Sequence, residues 1–425
     1  MYSKDLMVEV KNGVYDQVLT EMYGEAALPQ QKERYYKAIE KFEKLYPGSG
    51  DVNIFSAPGR TEVCGNHTDH QHGRVLAAAI NLDAIAVVYF HNDGVIRLQS
   101  AGYSEEYIEL NDLSVKAEEQ GTTAALIRGM VYQFKKLGVE IGGFNAYVTS
   151  DVLGGSGLSS SAAFEVLIGT ILDQHYNDGK VGAVDIAKMG QYAENNYFGK
   201  QSGLMDQMVS SVGGFVFIDF NDTTNPIIEK HTCDFAAAGI NLCITDTKGS
   251  HADLTDDYVS VPSEMKMVAS QFGKRYLREV PEADFFKSLQ SLRGTCTDRA
   301  ILRAAHYYAD DARVPQEVEA LDKEDFQSFF NLVNASGNSS ARWLQNLYST
   351  KKPAEQGIPL ALMVSERVLA GKGACRVHGG GFAGTIQAFV PDEVVNEYVE
   401  AMEALFGEGC CYKLRIRPLG GVRVI

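Results

Sequence analysis

Two glycine-bearing segments hold most of the residues whose types and spacing could do chemistry. Residues 58–73 read Pro-Gly-Arg-Thr-Glu-Val-Cys-Gly-Asn-His-Thr-Asp-His-Gln-His-Gly, which crowds His67, Asp69, His70 and His72 into one short loop. Such a loop can gather ligands around a metal ion. The same side chains suit a hydroxyl-rich ligand, because a carboxylate accepts two hydroxyls while histidine and asparagine donate or accept. Arg60, at the head of the segment, is suited to stabilising charge in a phosphoryl transfer. Residues 151–163 read Asp-Val-Leu-Gly-Gly-Ser-Gly-Leu-Ser-Ser-Ser-Ala-Ala. Glycines let successive N–H groups face one anion, and the helix N-terminus that follows adds favourable partial charge for phosphate. Ser159, Ser160 and Ser161 add hydroxyls for phosphate oxygens or a Mg²⁺ ion. There is no GxxxxGK[ST] in the chain, and Ser160 stands where a dinucleotide fingerprint needs its third glycine. The plainer alternative is a glycine-rich turn with a serine cap.

Three other segments say less by themselves. Gly203-Leu-Met-Asp-Gln207 puts Asp206 near a helix start, where an aspartate is an ordinary cap. Glu194, near the end of its helix, is in isolation a surface carboxylate. Residues 376–385, Arg-Val-His-Gly-Gly-Gly-Phe-Ala-Gly-Thr, form a glycine-rich loop leading into an apolar strand.

The elements that must position these loops follow from periodicity and punctuation. Tyr35, Ile39 and Phe42 share a face, predicting a helix over 31–45. A strand at 53–56 leads into the first loop. The apolar run 75–90 and the stretch 95–98 read as two strands joined by an Asp-Gly turn. A helix over 122–137 and a strand over 144–149 precede the serine loop. The segment 159–176 is a helix with a serine as its natural cap, followed by helices at 185–195 and after Leu204 and a strand at 215–220. Beyond a boundary near 220 come strands at 239–245, 384–390 and 412–417. Helices are expected there at 262–272, 298–310, 324–335, 358–370 and 392–406. This mixture without strict βαβ alternation predicts an α+β fold.

Composition narrows the function classes. The 425 residues carry 55 acidic and 39 basic side chains, a formal net charge of −16, with 45% hydrophobic and 22% charged residues. A surface this acidic disfavours nucleic acid and anionic lipid as partners. The start carries no secretory pattern, and the 75–90 run is interrupted by Asn81 and Asp83, too short to span a bilayer. Seven cysteines without a CxxC pair read as reduced thiols, so the expected location is the cytoplasm.

Taken together and in this order, 57–73, 151–163 and 376–385 resemble the three motifs of the GHMP kinase superfamily. Within it the first segment, Gly-Arg followed by Gly-x-His-Thr-Asp, is similar to the galactokinase signature. The Gly203–Gln207 segment and Ala252-Asp-Leu-x-x-x-Tyr258 support the same family, and the resemblance covers nearly the whole chain. It implies an N-terminal domain like ribosomal protein S5 over 1–220 and a ferredoxin-like C-terminal domain over 221–425. The last strand is a candidate to return to the first domain. The implied reaction is ATP-dependent phosphorylation of the anomeric hydroxyl of D-galactose. By position, Asp206 matches the catalytic carboxylate and Arg60 its partner. Asn66, His67, Asp69, Gly203 and Tyr258 match sugar-binding positions. The backbone of Gly154, Gly155, Ser156, Gly157, Leu158, Ser159 and Ser160 matches the cradle for the ATP phosphates. Ser161 and Glu194 match the pair that holds Mg²⁺. A small-molecule sugar is the implied partner, and no obligate protein partner is evident.

The chain departs from the family pattern at several positions. Asn66 stands for Glu and Glu62 for Asn, so a carboxylate is relocated within the loop. His70 stands for Tyr, Ser202 for Cys, Val152 for Pro and His378 for Thr. If Asn66 is a weakened sugar contact, Asn66→Glu is expected to tighten galactose binding. Two other functions stay in view: a kinase for a related sugar, such as N-acetylgalactosamine or a C6-modified galactose, and a silent galactose/ATP sensor.

Overall fold

A computed structural model describes residues 1–152, 158–200, 202–250 and 254–425. Gly154, Gly155, Ser156 and Gly157 of the expected phosphate cradle therefore lie outside the described residues, as do Ala252 and Asp253.

The spine of the molecule is a pair of long antiparallel strands, β1 (Val52–Cys64) and β2 (Arg74–Phe90). Around them an eight-stranded sheet gathers β3 (Val95–Ser100), β4 (Glu105–Glu109), β5 (Phe144–Ser150), β6 (Phe215–Asp219) and β7 (Ile227–His231). A second sheet of four strands holds β8 (Ile240–Asp246), β9 (Ala374–Val377), β10 (Thr385–Pro391) and β11 (Cys411–Leu414), in the order β11-β8-β10-β9. The chain then returns, and β12 (Val422–Arg423) pairs with β1 in the first sheet. Strands and helices are mixed without βαβ repetition, giving the α+β class.

The Asp-Gly turn between β2 and β3 does not make a hairpin. β5 inserts between them, antiparallel to β2 and parallel to β3. The turn signal is local, whereas pairing depends on which strand fills both edges. β2 is buried along most of its length and offers no alternation to fix a neighbour in advance.

Two helices, Thr123–Lys136 and Ser160–Tyr176, cover one part of the first sheet, with Phe55, Ile96, Ile127, Phe134, Phe144 and Ile171 in their shared core. A second core joins the two sheets: Val63, Leu76 and Phe215 pack with Phe235, Leu242, Phe329 and Phe389. The Asp298–Asp322 and Thr255–Ser270 helices run further than periodicity indicates, each carrying an internal proline, Pro315 and Pro262. Proline reads as a boundary in sequence, yet tertiary packing can carry a helix past it.

Candidate active site

The first loop is positioned by irregularities in β1. Its register against β2 shifts between Pro58 and Arg60 and again between Glu62 and Cys64, which re-aims the side chains in between. Gly65 then turns the chain at φ 90°, where a Cβ would lie 2.4 Å from the Arg74 carbonyl oxygen. Only glycine fits there.

Arg60 crosses from β1 to the Met205–Val212 helix. Its Nε donates to Asp206 Oδ1 at 2.7 Å and its Nη2 to Oδ2 at 2.9 Å. This two-point pairing is the strong, oriented form of an Arg–carboxylate contact. Burial pushes the Asp206 carboxyl up, but the Arg60 charge, its hydrogen bonds and a hydroxyl from Ser159 outweigh burial and hold it below the usual range. Asp206 is thus a fixed carboxylate at neutral pH.

Ser159 does not cap its helix. It sits in the left-handed region, φ 61° and ψ 61°, makes no side-chain cap bond, and donates its hydroxyl to Asp206 Oδ2. The expected cap is corrected, because the buried carboxylate is the stronger acceptor. Ser161, two residues on, donates to Glu194 Oε1 at 3.0 Å. Glu194 also accepts from Gln207 Nε2 at 2.9 Å and from Lys200 Nζ at 2.8 Å. Gln207 Nε2 reaches a further carboxyl, Glu165 Oε2, at 2.9 Å. Burial, then the neighbouring Glu194, pushes the Glu165 carboxyl up. Gln207 lies inside a motif already singled out, but nothing in sequence points to Lys200 or Glu165.

On the other side of the site, the glycine-rich loop offers three successive carbonyl oxygens to three polar side chains. Asn66 Nδ2 donates to Gly379 at 2.7 Å, His67 Nε2 meets Gly380 at 3.1 Å, and the Tyr258 hydroxyl donates to Gly381 at 3.0 Å. A Cβ on Gly380 would lie 2.7 Å from the Tyr258 ring, so this glycine permits the close approach. Since a carbonyl can only accept, His67 carries its proton on Nε2 and leaves Nδ1 as an acceptor. That Nδ1 is buried without a partner among the described residues. Burial, then His70, pushes the ring down to about 4, so it is neutral at pH 7. Asp69 is adjacent: its Oδ2 lies 3.2 Å from where a Cβ of Gly203 would stand.

His72 leaves this group and stacks on Tyr276, ring centroids 3.7 Å apart. Among the described residues no three His, Cys, Asp or Glu side chains are placed to hold a metal ion. The histidine-rich loop therefore does not gather the ligand set that its spacing allows.

Asn66 is fully buried and its amide is fully engaged. Nδ2 donates to Glu62 Oε1 at 2.8 Å as well as to Gly379, while Oδ1 accepts from Asn346 at 2.8 Å and Ser340 at 3.3 Å. Two donors and two acceptor sites are used, so the amide keeps none for a ligand. The sugar contact expected of Asn66 is one this arrangement does not provide. Burial pushes Glu62 up to about 7 against the pull of Arg376 and Asn66. The relocated carboxylate and the relocated amide thus form one hydrogen-bonded pair.

That pairing reverses the expectation for Asn66→Glu. The substitution sets a second carboxylate against Glu62 and the Gly379 carbonyl, and we expect it to destabilise the protein by roughly 2 kcal/mol or more. Combining it with Glu62→Asn should restore part of the loss. Urea midpoints for the parent, both single variants and the double variant measure this coupling. Losses that simply add would show that the two positions are independent.

Comparison with known proteins agrees with this geometry. Residues 40–90 match the galactokinase galactose-binding signature, and residues 125–214 match the GHMP kinase N-terminal domain. A galactokinase of Streptomyces coelicolor is 30% identical over 370 residues, covering 86% of this chain and 92% of that protein. A galactokinase of Actinobacillus pleuropneumoniae is 31% identical over 366 residues, covering 84% of this chain and 90% of that protein. The crystal structure of Lactococcus lactis galactokinase complexed with galactose shares the fold at TM-score 0.76 and 23% identity, over 90% of this chain and 98% of that one. With sequence similarity along most of the chain and a shared two-sheet architecture, this protein belongs to the galactokinase family of GHMP kinases.

Proposed function

We propose that this protein phosphorylates the anomeric hydroxyl of D-galactose at the expense of ATP. The observation that carries the reading is the two-point Arg60–Asp206 pair at the mouth of the Ser160–Tyr176 helix, with His67, Asp69 and Gly203 beside it. Phosphoryl transfer asks mainly for positioning and charge stabilisation. Arg60 meets the charge of the transferred group and keeps Asp206 ionised. Asp206 accepts the hydroxyl proton. A carboxylate held below its usual range is a weak base, so the proton moves as the new P–O bond forms rather than before it. His67 Nδ1 accepts a second sugar hydroxyl, and Asp69 and Tyr258 border the same space.

The nucleotide phosphates enter at the 154–160 loop, whose helix N-terminus attracts negative charge. Ser161 and Glu194 form a small, all-oxygen donor set 3.0 Å apart, which fits Mg²⁺ held by few protein ligands and shared with phosphate. When bound, the ion neutralises charge on the phosphate chain. In this reading 1–220 is the sugar and phosphate domain and 221–425 the second domain, with β7 and β12 contributed back to the first sheet. We place the enzyme in the cytoplasm. Its seven cysteines are all free thiols, and among the described residues no helix is long and apolar enough to cross a membrane.

A coupled ADP-release assay with Mg-ATP tests the function. The panel holds galactose, glucose, N-acetylgalactosamine, 2-deoxygalactose, galacturonate and arabinose. Galactose is expected to be the best substrate. Preference for another sugar would keep the kinase and transfer attention to Glu62 and Asn66. Turnover of none by folded, ATP-binding protein would favour the sensor.

A further inference from the structure

Lys200 lies in the loop between the Glu194–Phe198 turn and the Met205–Val212 helix. Gly199 bends the chain at φ 89°, and the Lys200 N–H returns to the Glu194 carbonyl at 3.1 Å. The side chain is thereby folded over the residue whose carboxylate its Nζ meets at 2.8 Å. The same Oε1 accepts the Ser161 hydroxyl, so ammonium, hydroxyl and carboxylate converge on one point. The two partners differ in freedom. Glu194 is 2% exposed and held by Ser161 and Gln207, whereas Lys200 is 57% exposed on a long flexible stem. An ion pair with one exposed partner is worth little and exchanges easily. Lys200 also acts on its neighbours, since its charge helps lower both the Asp206 and Glu165 carboxyls. Its charge thus bears on both the proposed metal pair and the catalytic carboxylate.

A divalent cation on Ser161 and Glu194 competes with the ammonium group for Oε1, because two like charges gathered on one oxygen repel. We propose that Lys200 occupies Glu194 while nucleotide is absent, releases it to the metal ion, and turns onto the phosphate chain of the incoming nucleotide. The proposal rests on the reading of Ser161 and Glu194 as the metal pair. It makes Lys200 a phosphate-binding residue and gives metal and nucleotide a shared entry step.

The test uses the full-length enzyme with Lys200→Met, Lys200→Arg and Glu194→Gln. Two readouts are needed: kcat and KM for ATP at saturating galactose, and Mn²⁺ binding by electron paramagnetic resonance without nucleotide. Lys200→Met is expected to raise KM for ATP about tenfold, the equivalent of one charge-assisted hydrogen bond. It should also bind free Mn²⁺ several-fold more tightly than the parent, because the competing ammonium is gone. Lys200→Arg should keep most of the ATP affinity. If Glu194→Gln weakens Mn²⁺ binding but Lys200→Met leaves either KM or Mn²⁺ affinity unchanged, the exchange is overturned and the metal pair stands. Parent-like Mn²⁺ binding in Glu194→Gln would overturn the metal pair and the exchange together.

Discussion

Asp206→Asn is expected to lower kcat by about two to four orders of magnitude while galactose still binds with near-parental affinity. The asparagine fills the same space between Arg60 and Ser159, so the pocket keeps its shape. What it loses is the charge that Arg60 holds at 2.7 and 2.9 Å and the ability to take a proton. In the proposed mechanism the proton acceptor acts as the P–O bond forms, so the loss should appear in turnover rather than in sugar binding. Steady-state kinetics with calorimetric galactose binding separates the two. A variant with near-parental kcat would remove Asp206 from its role and leave positioning alone to explain catalysis.

Asp83→Asn is expected to cost about 3–5 kcal/mol of stability, the range for removing one partner of a buried ion pair. Asp83 lies on β2, completely buried, and accepts from Tyr23 at 2.6 Å, Arg34 at 2.7 Å and Arg417 at 2.8 Å, with the Ser56 hydroxyl as a further donor. It thereby ties the Asp16–Tyr23 and Leu28–Leu45 helices, β1 and the C-terminal segment to one point. Arg34 keeps a second carboxylate, Asp151, at 3.1 Å. Arg417 is wholly buried, and the other partners of its guanidinium are Ser56 and the carbonyls of Leu419 and Gly420. Burial pushes the Asp83 carboxyl up, but the two guanidinium groups outweigh it and the net shift is downward. A lowered folded value means that the stabilisation is complete above the unfolded value of about 4 and is lost as pH falls through the folded one. Urea midpoints below pH 4 should therefore fall more steeply for the parent than for Asp83→Asn. A loss under about 1 kcal/mol at pH 7 would show that the arginines find compensation elsewhere.

Much of the molecule was legible because its signals are local. The helical face of Tyr35, Ile39 and Phe42 predicts a helix, and the Leu28–Leu45 helix buries those three residues. The 122–137, 159–176 and 358–370 helices likewise appear within a few residues of where periodicity puts them. Errors gathered where a local signal competes with a tertiary one. The Asp-Gly turn is real, yet β5 separates its strands. A serine at a helix mouth is a natural cap until a buried carboxylate lies closer. Prolines 262 and 315 mark helix starts or stops in isolation, and packing carries both helices past them.

By itself the sequence determined the family, the α+β class and which residues are candidates for the site, because glycine turns, hydroxyl clusters and helical periodicity are written over a few consecutive residues. Only the tertiary structure decided who meets whom. Arg60 and Asp206 are 146 residues apart, and their pairing depends on β1 packing beneath the Met205–Val212 helix. Asp83, in sequence an interruption of an apolar run, becomes the buried centre of a charge network. Asn66, in sequence a sugar contact, becomes the link from Glu62 to Ser340, Asn346 and the 379–381 loop, up to 313 positions further along the chain. A side chain's role depends on which donors and acceptors remain once its neighbours are satisfied, and only the folded chain brings those neighbours within reach.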